Sequence, residues 1–231
     1  MTAHPIGGGL RVPLTQEQVD AADQLQSKLK GWKLYEGILR DLADRFPSNC
    51  DLAHVLPKAI TLNALYATGI LAIQQMARHI TNVAESSSDY SRPEFADEIA
   101  RLTNLGPQRK TRNCLSFASK YCHFFVDSQR FAILDAYAAN ALVVHLGKDA
   151  VRLGRYADYL NAVDRLIAAA GLRRNYAELD HYLWLAGQRI AYNRGSAEGK
   201  PRAINAEVLP LFDHPDAECK ALIGKAFGHL P

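Results

Sequence analysis

Apolar residues return every third or fourth position through most of the chain. Between residues 15 and 46, Val19, Ala22, Leu25, Leu29, Trp32, Leu34, Ile38, Leu42 and Phe46 mostly keep this step, the period of an amphipathic helix. Thr15, with Gln18 three residues on, has the form of a capping box and predicts the start. Gly31 predicts a division into two helices. Residues 57–84 read as a second long helix, apolar nearly all round over residues 58–66, as expected of a central helix. Pro93 suits the first turn of a helix ending before Gly106-Pro107. Further helices are predicted over residues 135–146 (closed by Gly147), 156–170 (closed by Gly171), 176–192 and 216–227. No segment alternates with period two, and no internal repeat is evident. The prediction is an all-α, compact multi-helix domain of seven to nine helices.

The organisation follows from the same pattern. Residues 1–14, with Gly7-Gly8-Gly9 and two prolines, read as a flexible N-terminal arm. Residues 15–192 form one helical domain, and residues 193–231 a C-terminal tail with a short helix. At 231 residues and 48% hydrophobic content the chain can bury a sizeable core. A net charge of +3 permits a nucleic-acid partner without demanding one. Cys50, Cys114, Cys122 and Cys219 make no C-x-x-C and no ladder with histidine, so no metal, cofactor or disulfide framework is expected. With neither a signal-peptide pattern nor a membrane-length apolar run, the expectation is a cytoplasmic protein without a membrane partner. The oligomeric state is left open.

One stretch stands apart. In residues 112–137, Lys120 sits alone in a small and aromatic run, and Asp135 follows the apolar Phe131-Ala132-Ile133-Leu134. A lone cation and a lone anion in segments that should be buried are costly unless paired or used. They form either a structural ion pair or a reactive pair in which a desolvated amine is the nucleophile. Asn63, Tyr66 and Thr68 are polar groups on the predicted central helix, and either fix packing or line a cleft. Arg109, Lys110 and Arg112 make the densest basic cluster, and Arg173-Arg174 a second, both suited to phosphate contact. The usual hydrolase, nucleotide-loop and zinc-protease motifs are absent.

The run Ser116-Phe117-Ala118-Ser119-Lys120-x-x-His123-Phe124, followed by Phe131-x-Ile133-Leu134-Asp135, resembles the lysine and aspartate of the helix-hairpin-helix DNA glycosylases, those of the 8-oxoguanine DNA glycosylase fold. Ser116 and Ala118 stand in the part of the run where that family's hairpin carries glycines. The resemblance implies a two-lobed helical scaffold acting on DNA, with a base extruded into a pocket. Lys120 would attack the sugar carbon, and Asp135 would support the positive charge developing there. Around them it implies a substrate pocket drawn from Asn63, Tyr66, Ser116, Phe117, His123, Tyr137 and Trp184. Two alternatives remain: a non-catalytic nucleic-acid- or nucleotide-binding protein on the same scaffold, and a ribonuclease of the helical HEPN type using Arg174 and His181. The discriminating expectation is geometric: a reactive pair opens into a basic cleft, whereas a structural pair is sealed in the core.

Overall fold

The computed structural model describes residues 9–102, 112–198 and 204–231, with the backbone alone at Arg112 and Asn113. Eleven α-helices form among these residues. Strand is limited to a two-residue antiparallel ladder, Arg101–Leu102 (β1) against Arg112–Asn113 (β2). The all-α class holds, and no described helix is long and apolar enough to cross a membrane.

Helix α1 (Gln16–Gln26) starts as predicted, the Gln18 amide oxygen accepting the Thr15 N–H at 2.8 Å. It stops at Ser27, whose hydroxyl donates back to the Gln24 carbonyl. Helix α2 (Lys30–Arg45) follows. Gly31 lies inside α2 rather than at the break, and its N–H donates to Glu207 Oε1 at 2.7 Å.

The predicted long helix over residues 57–84 is two helices, α3 (Leu52–Leu65) and α4 (Ile73–Ser86). Asn63 makes the break. Its Oδ1 accepts from Thr68 Oγ1 at 2.7 Å and from the Ile70 N–H at 2.9 Å, and its Nδ2 donates to the Ile70 carbonyl at 3.1 Å. The turn carries Ala67 at φ +46° and Gly69 at φ +70°, the left-handed region that a helix cannot contain.

Helix α5 (Pro93–Ala100) begins at its proline and gives way at Arg101 to β1, short of its predicted end. Arg109 and Lys110 lie outside the described residues, as does the Arg112 side chain. Then come α6 (Leu115–Phe125), α7 (Ala136–Leu146), α8 (Tyr156–Ala170) and α9 (Tyr176–Glu198). Gly147 at φ +88° and Gly171 at φ +63° follow α7 and α8, as predicted. The last helices, α10 (Val208–Asp213) and α11 (Ala217–Phe227), bury Val208, Phe212 and Phe227, so this segment joins the core rather than trailing from it. Residues 9–14 are tied down too: Leu14 is buried, and the Arg11 N–H donates to the His145 carbonyl at 2.8 Å.

One contiguous apolar core serves all these elements. Helix α7 lies along α9, and α1 packs against α9 and α11. The α7–α9 approach is set by Gly187, where a Cβ would fall 2.2 Å from the Tyr137 carbonyl oxygen. This contact holds the first turn of α7 directly against α9.

Candidate functional site

A cavity of about 530 Å³ lies where α1, α2, α6, α7 and α9 converge, a size in the range of small-molecule sites. One wall is aromatic. The Trp32 ring centre lies 4.7 Å from that of Trp184 and 5.1 Å from that of Tyr66, and Tyr66 lies 5.7 Å from Phe124. The other wall is polar: Gln26 from α1, Glu36 and Arg40 from α2, His123 from α6, Asp135 before α7, and Asp180 and His181 from α9. Asp127 adds a further acid, so the lining is richer in carboxylates than in cations.

Lys120 is 3% exposed. Its Nζ lies 2.9 Å from Ser116 Oγ and 3.4 Å from the Ser116 and Leu134 carbonyls, over the ring of Tyr66 at 5.6 Å from the ring centre. Burial lowers the pKa of the amine, while the nearby Asp135 and Asp180 partly oppose that shift. No ion pair joins Lys120 to Asp135 among the described residues, so the structural-pair expectation is corrected. The reason is local. Asp135 is the N-cap of α7, its Oδ1 accepting the Ala138 N–H at 2.8 Å, and this turns it into the cavity wall. The amine is instead satisfied by Ser116, one helical turn back. The pair does not open into a basic cleft either, because the cavity that Asp135 lines is richer in acids than in cations and Lys120 is not in its wall.

Asp180 is the most unusual group. It is 6% exposed, its Oδ2 accepts the Ile133 N–H at 2.8 Å, and its buried Oδ1 has no hydrogen-bond partner. Burial pushes its carboxyl well above the usual carboxylate range, against the pull of the Ile133 hydrogen bond and the His181 charge. Gln26 Oε1 is a second buried atom without a partner on this cavity. His123 sends its Nδ1–H to the Phe131 carbonyl at 2.7 Å, and burial lowers its pKa to about 4. It is a neutral ring whose Nε2 can only accept.

His181 is the opposite case. Its Nδ1 lies 2.7 Å from Asp23 Oδ1 and its Nε2 3.2 Å from Glu36 Oε1, so both nitrogens donate. Burial alone would lower its pKa, but the two carboxylates outweigh burial and raise it to about 9. This imidazolium ties α9 to α1 and α2 around the cavity.

Of the predicted substrate residues, Tyr66, His123 and Trp184 line the cavity. Ser116 holds the Lys120 amine, Asn63 organises the 66–72 turn, and Phe117 is a core residue stacked 6.1 Å from Tyr121. Tyr137 supplies backbone to the Gly187 contact. Arg173 and Arg174 are exposed and paired, Arg173 with Asp20 and Glu178, Arg174 with Asp164 and Tyr176. A second buried lysine, Lys58, lies away from the cavity. Its Nζ donates to Asn49 Oδ1 at 2.7 Å and to the Ser48 carbonyl at 3.0 Å, and burial lowers its pKa to about 8. Among the described residues no group of side chains could hold a metal ion.

Sequence reasoning did not single out Gln26, Trp32, Glu36 or Asp180 as site residues. A signal existed: Gln26 falls seven residues after Val19, and Asp180 four after Tyr176, both on stripes that are otherwise apolar.

The comparisons with known proteins bear on the first half of this site. A family model described as the HI_0787_N N-terminal domain matches residues 15–129, just short of half the chain. The match runs from α1 through α6, taking in Lys120 and stopping before Asp135. An uncharacterised protein of Haemophilus influenzae is 31% identical over 134 residues, 55% of this chain, and the chain covers 63% of that relative's length. No solved structure matches. The chain is thus similar over its N-terminal half to the HI_0787_N domain, and over about half its length to a bacterial relative.

Proposed function

We propose that the protein is a DNA N-glycosylase with lyase activity, taking an extruded base into the aromatic cavity and using Lys120 as nucleophile. The observation that carries this reading is the setting of Lys120. Its amine is almost sealed from water and lacks a carboxylate partner, one ring away from a cavity whose wall contains Asp135. A desolvated lysine without an ion pair gives up its proton readily and so becomes nucleophilic near neutral pH.

The chemistry fits the lining. A planar base lying on the wall made by Trp184, Trp32 and Tyr66 gains stacking, and Asp180 and Gln26 add polar side chains to the lining around its edge. The neutral Lys120 Nζ forms a bond to the sugar C1′ as the C1′–N bond breaks. The base departs with the electron pair and takes up a proton. Nζ gives up one proton, which the departing base takes, and the nitrogen lone pair then expels O4′ from C1′; O4′ takes a proton from water, leaving a protonated imine on Nζ. The carboxylate of Asp135, which lines the same cavity, would balance the charge that grows on the sugar. Carboxylates suit that cationic transition state better than they suit a phosphate. Backbone phosphates would therefore be met outside the cavity.

A second reading keeps the base-binding cavity without covalent chemistry. It is favoured by one fact: Lys120 lies behind Tyr66 rather than in the cavity wall itself. The ribonuclease reading gains nothing, because both nitrogens of His181 are held by carboxylates and Arg174 is bound to Asp164 and Tyr176.

The test is borohydride trapping on duplexes that each carry one modified base. The glycosylase reading expects a covalent adduct with at least one of them, lost in Lys120→Gln. Binding without any adduct across the panel would favour the second reading.

A further inference from the structure

A line of hydrogen-bonding groups connects α1, α7, α9 and the C-terminal turn, and the cavity does not use it. His145 Nδ1 lies 2.8 Å from the Val12 carbonyl, and its Nε2 lies 2.9 Å from the Tyr182 hydroxyl. The same hydroxyl lies 3.4 Å from His229 Nε2, and His229 Nδ1 lies 2.9 Å from Gln18 Nε2. His145 and Tyr182 are fully buried.

The direction of this line is fixed from both ends. A carbonyl only accepts, so His145 carries its hydrogen on Nδ1, its Nε2 is bare, and Tyr182 must donate to it. At the other end, Gln18 Oε1 is occupied by the Thr15 N–H in the α1 cap. Gln18 therefore offers its Nε2 hydrogens to His229 Nδ1, and His229 carries its own hydrogen on Nε2, toward the Tyr182 oxygen. The two anchors agree: Gln18 donates to His229, His229 to Tyr182, Tyr182 to His145, and His145 to Val12. Along the line each contact has one donor and one acceptor.

We propose that this relay is a pH-operated latch, clamping residues 9–14 and the C-terminal turn onto α7 and α9 while both histidines are neutral; when His145 takes a proton its Nδ1–H bond to Val12 remains, but the Tyr182 bond is lost and hydration of the uncompensated buried charge opens the latch. A proton on His145 Nε2 faces the hydrogen that Tyr182 donates. Tyr182 cannot turn that hydrogen toward His229, which already donates to it. Reversing His229 would need Gln18 to flip and give up the α1 cap. The extra proton thus costs the relay at least one hydrogen bond in a buried place.

The surroundings do not compensate the charge. Among the described residues no carboxylate touches either imidazole. The Arg11 side chain packs on Gly147 beside the end of α7, Lys148 follows, and on the α1–α11 face Glu17 is engaged by Lys225 at 3.5 Å. Burial lowers the pKa of both His145 and His229, and a charge on His229 lowers that of His145 further. The reporter of the latch is the Arg11 N–H, which donates to the His145 carbonyl.

The experiment is nitrogen NMR of histidine-labelled full chain from about pH 8 to about pH 4, with hydrogen exchange at the Arg11 amide corrected for intrinsic rate. The expected result is the Nδ1–H form of His145 and the Nε2–H form of His229 at the alkaline end. On acidification, protection at Arg11 falls at least roughly tenfold as His145 titrates, while amides in α8 stay protected. In Gln18→Glu, which keeps the cap acceptor but faces His229 with an anion, the His229 pKa rises. The proposal is overturned by an Nε2–H tautomer at His145, by Arg11 protection that outlasts protonation of His145, by α8 exchanging in step with Arg11, or by a His229 titration that Gln18→Glu does not move.

Discussion

His181→Gln removes the cation that joins three helices around the cavity, and its cost can be worked from the geometry. A rise in the His181 pKa from the ordinary 6.5 to about 9 corresponds to about 3 kcal/mol of native-state stabilisation. Asp23 has a side chain 46% exposed, and solvent screening there reduces the figure to about 2 kcal/mol. The sign follows from proton binding. Because the folded pKa is raised, the native state holds a proton the unfolded chain has lost between pH 6.5 and about 9. The contribution is complete below pH 6.5 and disappears as pH climbs through about 9. The assay is urea denaturation of wild type and variant at intervals across that window. The variant should be less stable by about 2 kcal/mol, a melting temperature lower by roughly 4–8 °C, at its acid end. The difference should shrink toward zero at its alkaline end. A difference that stays constant with pH would refute the charged-histidine account and leave only a packing effect.

Other consequences are as direct. Burial raises the pKa of the Asp180 carboxyl, so wild-type stability should fall relative to Asp180→Asn as pH rises from about 4, whereas parallel pH profiles of the two in denaturant melts would refute the raised pKa. Gly187→Ala pushes a methyl into the Tyr137 carbonyl and should destabilise the chain by about 1–3 kcal/mol or more, with loss of cavity ligand binding. His123 is buried neutral with a pKa of about 4, so stability should fall as pH drops from 6.5 toward about 4; in His123→Gln that part of the acid slope should vanish from the melts. Trp184→Ala removes one aromatic wall and should weaken stacking of a modified base by roughly 1–3 kcal/mol in fluorescence titrations.

The sequence carried most of the helix pattern because the signals were local. Thr15 with Gln18, Pro93, Gly147 and Gly171 mark ends where they were expected, and each acts within one turn of itself. The break between α3 and α4 was hidden because Asn63 makes it through bonds to residues five and seven positions on. Apolar periodicity on both sides reads straight through such a turn. Lys120 and Asp135 were legible as isolated charges in apolar runs, yet their relation was not. The N-cap role of Asp135 points it to the cavity, and Ser116 answers the amine. Gln26, Glu36, Asp180 and His181 converge only through the packing of α1, α2 and α9, which no local pattern contains.

Two buried lysines make the central claim open to a decisive measurement. Lys58 has a pKa lowered to about 8 but is enclosed by Asn49, Ser48 and two aromatic rings away from the cavity. Lys120 lies one ring from the cavity beside Asp135. A borohydride-reduced DNA adduct, digested with nuclease and protease and mapped by mass spectrometry, should carry its sugar remnant on Lys120. A remnant on Lys58, or an adduct that survives intact in Lys120→Gln, would contradict the assignment.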